Sequence, residues 1–291
     1  MPGVKLLAIL FLIPFCFARA ELRLGIVGGD GAEAIAFTQI LNDASHPDHV
    51  PGARVVAAYR AGRVDKIGEE LRTKLKVEIT PDVGSLCRRV DAVVIGSGNA
   101  AGRLEQIKVV IAAGKPMFFE SPLAGSLDEA RTIVKLVMDS GLPWFSASGF
   151  RFGEISEIQA SYLFSANAWG PAGMDQRAIE MLYALMGAGC EEVAYAPASQ
   201  GEILTGRWPG RAATVSSGPE DGWGVEVARS KEAGRIKYRI RQDYRSLLVE
   251  IVKFFETSQP PVSSQETLEI FAFLDAAARS KAAGGAPTKL R

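Results

Sequence analysis

Histidine and cysteine are scarce in this chain, with two and three among 291 residues. So few of either argues against a disulfide framework and against the Cys/His clusters that hold most structural metals. Charge shows no bias, with 33 basic and 33 acidic residues and no long run of one sign. A nucleic-acid binder carries a basic excess or stripe, so that class is set aside. A membrane-spanning run is missing too. The stretch Leu6 to Phe17 falls short of the ~20 apolar residues a span needs, and no later segment is long and apolar enough. No internal repeat or low-complexity segment appears. What remains is a chain 47% hydrophobic, enough to build real cores in one or two domains.

The first 20 residues stand apart. Lys5, the apolar run to Phe17 and the small-x-small end Ala18-Arg19-Ala20 have the plan of a secretory signal peptide. Its removal leaves 31 basic and 33 acidic residues, and an exported protein, periplasmic or extracellular, is the expectation. Cys87 and Cys190 then remain, in different expected domains, and read as two buried thiols.

From residue 21 short apolar runs alternate with helical patterns. The runs are LRLGIVG (22–28), RVVAAY (54–59), DAVVIG (91–96), PMFFE (116–120) and PWFSAS (143–148). Ala34, Phe37 and Leu41 mark a helix after the first run. Ser126 and Glu129 have capping-box spacing before the face Ala130, Ile133, Val134 and Val137, and Gly141 ends that helix. Continuous apolar strands between helices predict a parallel sheet covered on both sides, over about 21–148. The second half differs. A helix over 174–186 precedes the β-like runs EVAYA, EILTGRW, AATVSS, GVEVAR and IKYRIR, so 149–291 reads as an α+β domain with an antiparallel sheet. Two helices follow, one with Tyr244, Leu247, Leu248, Ile251, Phe254 and Phe255 on a face, the other capped by Ser263 through Glu266.

The loop after the first run is Gly28-Gly29-Asp30-Gly31-Ala32-Glu33-Ala34. A dinucleotide fingerprint needs glycine at the tight turn, glycine against the pyrophosphate and a small residue where helix meets strand. Gly29, Gly31 and Ala34 satisfy G-x-G-x-x-A, one residue later than usual. The frame starting at Gly28 meets Asp30 and Glu33 instead, and an acid there repels a pyrophosphate. The residues therefore indicate a Rossmann-type, doubly wound βα turn and leave open whether a dinucleotide binds. At the end of the second run, where NAD binders place an acid for the ribose, stands Tyr59-Arg60. Arg60 reads as a 2′-phosphate ligand favouring NADP or, slightly preferred, as a solvated surface residue. His46 and His49 lie in the polar loop NDASHPDHVPG with no third ligand pattern, and no metal is expected.

DAVVIGSGN, AAGKPMFFESPLAGSLDEARTIV, GLPWFSASGFRF, RAIEMLYALMGAGC (177–190) and the run 243–285 together resemble the Gfo/Idh/MocA family of NAD(P)-dependent sugar oxidoreductases. The resemblance covers most of the chain after residue 20. It implies a Rossmann domain followed by a domain with an open antiparallel sheet, which mediates homo-oligomerisation on one side and borders the substrate on the other. It implies NAD(P) and a sugar-like ligand. The chain also departs from the family. The family's E-K-P motif is Glu120-Ser121-Pro122 here, and serine cannot supply the lysine's charge. The family's helix histidine matches Arg177, and a second one matches Arg103; arginine stays protonated and is a poor base. Ser121 and Arg177 are thus the catalytic positions by resemblance, with Asp175 the nearby acid able to substitute as base. Glu180 and Tyr183 share that helix and read as packing or capping residues. Glu120 and Pro122 join Gly28, Gly29, Gly31 and Arg60 on the cofactor side. Arg151, after the last strand run, and Arg211, in GRWPGR with Trp208, suit a sugar or acidic sugar through stacking and bidentate bonds.

Three functions compete: a sugar or polyol dehydrogenase, an exported non-catalytic carbohydrate- or partner-binding protein, and a new activity using Asp175 or Arg177. Export in an unfolded state, with no Arg-Arg pair before the apolar run, leaves cofactor to be found where it is scarce. Lost or altered dehydrogenase chemistry is the reading favoured by the residues.

Overall fold

A computed structural model describes all residues except 1–19, 29–31, 62–64, 97–101, 160–162, 172–174, 200, 218–221 and 232–233. The expected signal peptide (Ala20 apart) and the loop glycines Gly29 and Gly31 therefore lie outside the described residues.

The first half folds as β1 (Leu22–Val27), α1 (Ala32–Asn42), β2 (Ala53–Tyr59), α2 (Lys66–Thr73), β3 (Glu78–Ile79), α3 (Val83–Cys87), β4 (Ala92–Ile95), α4 (Arg103–Ala112), β5 (Met117–Glu120), α5 (Leu127–Ser140) and β6 (Trp144–Ala147). The sheet order is β3-β2-β1-β4-β5-β6, with every pairing parallel. All five apolar runs became strands. β4, β5 and β6 are buried at every position, as strands covered on both faces must be. The sixth strand, β3, is a two-residue edge with too little sequence to show a pattern. α5 starts where the capping box indicated: Ser126 accepts a hydrogen bond from the Glu129 amide, and Gly141 closes the helix at φ 69°.

The second half is α6 (Glu154–Gln159), β7 (Ser165–Gly170), α7 (Gln176–Met186), β8 (Glu192–Ala198), β9 (Gly201–Trp208), β10 (Arg211–Ser217), β11 (Trp223–Ala228), β12 (Ile236–Ile240), α8 (Tyr244–Thr257), α9 (Ser264–Ala282) and β13 (Thr288–Lys289). Its sheet runs β12-β11-β7-β10-β9-β8-β13, antiparallel except where β7 lies beside β10. β7 is an inner strand that the sequence concealed. SANAWG has no alternation of large apolar residues, because small residues suffice beneath the buried helix α7.

The two halves share their cores. Leu247, Leu248, Ile251 and Phe254 of α8 pack with Leu24, Phe37 and Phe145 of the first half. Phe254 meets Phe145 at 4.8 Å between ring centroids. Phe271 and Ala272 of α9 join the core on the opposite side of the parallel sheet. The division at residue 148 separates the sheets, but not the hydrophobic cores. Cys87 and Cys190 are buried and unbridged. Among the described residues no helix is long and apolar enough to cross a membrane, and no group of three His, Cys, Asp or Glu is placed to hold a metal ion.

Candidate active site between the sheets

Strand order reverses between β1 and β4, and that crevice at the carboxyl ends of parallel strands is where such sheets bind ligands. Gly28 follows β1 with φ 75°, a left-handed turn that favours glycine. Its amide is bonded to Tyr59 O at 2.9 Å, and Gly96 N, after β4, donates to Val27 O at 3.0 Å. Among the described residues, a Cβ added at Gly28 would meet only Gly96 O, at 3.9 Å. α1 begins four residues later, at Ala32. These features fit the backbone half of a dinucleotide cradle.

Next to it, the ends of β5 and β6 meet the first turns of α7. Glu180, only 3% exposed, accepts from Ser121 Oγ, from Ser148 Oγ at 2.5 Å and from Ser148 N at 3.0 Å. Gln176 Nε2 in turn donates to Ser121 Oγ at 3.1 Å. Burial is the largest influence on Glu180 and pushes its carboxyl upward, opposed by the two serine hydroxyls and by the Arg151 charge. A buried carboxyl with a raised proton affinity, touching two hydroxyls at strand ends, has the chemistry of an acid–base group.

Residues 22–147 match the family profile described as the oxidoreductase family, NAD-binding Rossmann fold, GFO_IDH_MocA. The first domain belongs to the Gfo/Idh/MocA family. Both sheets recur in solved structures of low identity, which show a shared fold. A probable dehydrogenase from Thermotoga maritima is 18% identical, with a TM-score of 0.75 over 92% of this chain and 99% of that one. Myo-inositol 2-dehydrogenase from Lactobacillus plantarum gives 14% identity and a TM-score of 0.74 over 94% and 100%. Myo-inositol dehydrogenase from Lactobacillus casei, in complex with NAD(H) and myo-inositol, gives 16% and 0.74 over 94% and 97%. No curated protein matches the chain by sequence.

Within the Gfo/Idh/MocA frame the expected positions separate. Ser121 is central to the cluster, and its peptide bond to Pro122 is cis. Arg103 holds that segment in place: buried, it donates to Pro122 O at 3.0 Å, Leu123 O at 2.5 Å and Gly96 O at 3.2 Å. Glu120 is buried at the end of β5. Asp175 is the N-cap of α7, its carboxylate taking the Arg177 amide at 2.8 Å. Arg177 lies in that first turn, 5.9 Å from the Trp223 ring centroid. Arg151 is buried and paired with Glu266. Arg211 is elsewhere: its Nη2 bonds to Met186 O at 3.0 Å, the opposite end of α7 from Arg177. Trp208 of the same motif is core, 3% exposed, with Nε1 on Gly187 O at 2.9 Å. The solvated reading of Arg60 is corrected. Its side chain is 2% exposed and pairs with the Asp65 carboxylate at 2.6 Å, the residue that caps α2. His46 and His49 are loop residues; His46 Nδ1 accepts from the Asp48 amide.

Sequence reasoning passed over Glu180. The signal was present in α7, where Ala178 to Met186 are buried all round. One acid inside such a helix must find partners, because an unpaired buried carboxylate is too costly.

Proposed function

We propose that this protein is an NAD(P)-dependent oxidoreductase of polyhydroxylated, sugar-like substrates that works outside the cytoplasm with altered acid–base chemistry. The observation that carries the reading is the buried Ser121–Glu180–Ser148 cluster, sited where the family resemblance places its lysine. A bound nicotinamide supplies a hydride acceptor. Gly28 and the start of α1 would hold the pyrophosphate, and Glu120 and Pro122 would stand on the nicotinamide side. A 2′-phosphate on the cofactor would have to compete with Asp65 for Arg60.

The chain's own groups handle the proton. A substrate hydroxyl bonded to Ser121 Oγ gives up its proton there, while the serine proton passes to Glu180. Gln176 fixes the serine's orientation. Burial favours the protonated carboxyl and so draws the proton inward. This relay starts from a neutral serine, where a lysine would bring positive charge to the developing alkoxide, so slow turnover is expected.

Fluorescence titration with NADH and NADPH, followed by a sugar and polyol panel read by nicotinamide absorbance, tests the reading. Saturable cofactor binding and substrate-dependent absorbance change are expected, and Ser121→Lys raises turnover by about 100-fold, the size of one acid–base group. No binding at millimolar cofactor sinks it. The second reading, a non-catalytic exported carbohydrate- or partner-binding protein, is favoured by the replacements at Ser121 and Arg177, and that outcome would leave it standing. The proposal extends to a homo-oligomer through the second sheet. Thr205 pairs with Thr214 and with Ala194, all on the face away from Leu204 and Val215, which pack on α7 and α9. Light scattering that returns a monomer mass would remove that part.

A further inference from the structure

We infer that the ligand of this cleft is a sugar acid whose carboxylate is bound by Arg177 against Trp223. The inference rests on the oxidoreductase reading for the polyhydroxylated part of the ligand and adds the charged group.

The arginines around the cleft differ in how their charge is met. Arg60 has Asp65, Arg151 has Glu266, and Arg103 is sunk into three carbonyl groups. Arg177 has no such partner. Among the described residues its guanidinium has no ion pair or hydrogen bond, and its one contact of note is the Trp223 ring. Asp175, the nearest carboxylate in sequence, is turned to the Arg177 amide as the helix cap. The position is also unfavourable for a cation, because the amino end of α7 already carries positive partial charge. An anion is the species that both the side chain and the helix end would stabilise.

Arg151 Nη1, buried next to Phe150, is likewise without an acceptor among the described residues. Arg151 is only 8% exposed at its side chain, and its charge reaches Glu180. Phe150, the residue before it, packs on Trp223 at 4.7 Å. An unpaired guanidinium against an aromatic wall describes a place for an anionic ligand with an apolar face. Gln176 places the Ser121 hydroxyl next to this turn, where a sugar hydroxyl would sit. One guanidinium matches one carboxylate in a bidentate pair. A phosphate monoester brings nearly two charges against one guanidinium.

The test is equilibrium binding by tryptophan fluorescence and calorimetry on the full chain, with galacturonate and gluconate against galactose, glucitol and galactose 6-phosphate. Wild type should bind the acids at least about 10-fold tighter than their neutral counterparts, as one charge-assisted pair provides. Arg177→Gln should abolish that preference, read as the ratio of acid to neutral-sugar affinity within the same variant, and Arg177→Lys should keep part of it. Equal affinity for acids and neutral sugars, a preference that survives Arg177→Gln, or tighter binding of the phosphate ester overturns the inference. The readout needs no turnover. Acid preference without cofactor-dependent oxidation would therefore sink the oxidoreductase reading alone, and oxidation of neutral sugars without acid preference would sink this one alone. Binding of no sugar at all overturns both.

Discussion

Glu180 links the chemistry to stability at the scale of single residues. Its folded carboxyl holds a proton to higher pH than the same group in the unfolded chain, with burial as the main cause. Stability from this group is therefore complete below the ordinary value of 4.5 and is lost as pH rises through the folded value. Glu180→Gln keeps an acceptor and a donor for the two serines and does not ionise. Its melting temperature should match wild type near pH 4.5 and exceed it increasingly towards pH 8; parallel pH profiles would refute the burial effect. Glu180→Ala leaves both hydroxyls unsatisfied and should cost about 1–3 kcal/mol by urea unfolding. Cys190 gives an independent reading of the same physics. Burial pushes its thiol up to about 12, so it should stay unreactive to thiol reagents at pH 8 until the protein unfolds. Modification of Cys190 in the native protein would show that the wall around it opens. Ser121 and Arg177 were singled out through the resemblance to the Gfo/Idh/MocA family. Glu180 was not, because its partners lie 59 and 32 residues away and only the folded chain joins them. Arg60 misled for a similar reason: its partner, Asp65, is the N-cap of α2 and reaches it only in the fold.

Elements whose signals are local could be read from sequence, and those defined by their neighbours could not. α5 announced both ends through Ser126 and Gly141, and β4, β5 and β6 announced themselves as unbroken apolar runs between helices. β7 gave no such signal, since a strand of small residues is recognisable only from what crosses it. Beside it, β11 needs glycine at position 224 for the same reason. A Cβ there would lie 2.1 Å from Trp169 Cζ2 and 2.5 Å from the Tyr238 carbonyl oxygen. The tryptophan ring could rotate, but the backbone oxygen belongs to the paired strand β12 and cannot yield without breaking the ladder. Gly224→Ala should therefore destabilise by about 1–3 kcal/mol or more, read as a lower urea midpoint. It should also disturb Trp223, the next residue, and weaken ligand binding at Arg177. An unchanged midpoint would mean the sheet edge at β12 is free to shift.

The sheets divide the molecule in sequence, whereas the cores tie it together in space. α8 follows the second sheet yet fills the first core, and α9 packs on both, so neither sheet retains its cover if the other unfolds. This explains why a boundary drawn from strand patterns divides the sheets but misses the connectivity of the packing: the apolar face of α8 shows that it is buried, not against what. Shared cores predict one cooperative unfolding transition. Trp144 reports on the parallel sheet, while Trp169, Trp208 and Trp223 report on the mixed sheet. Phe254 is fully buried among residues of the first half, and Phe254→Ala should cost about 3–5 kcal/mol through lost transfer energy and the cavity left behind. If the cores are one unit, the variant lowers the urea midpoint seen by the second-sheet tryptophans as much as that seen by circular dichroism. With Trp144→Phe in the background, only the distant reporters remain, and their midpoint should still fall. A second-sheet transition that ignores Phe254→Ala, or two separated transitions in the wild type, would show that the sheets fold independently and that α8 is merely docked.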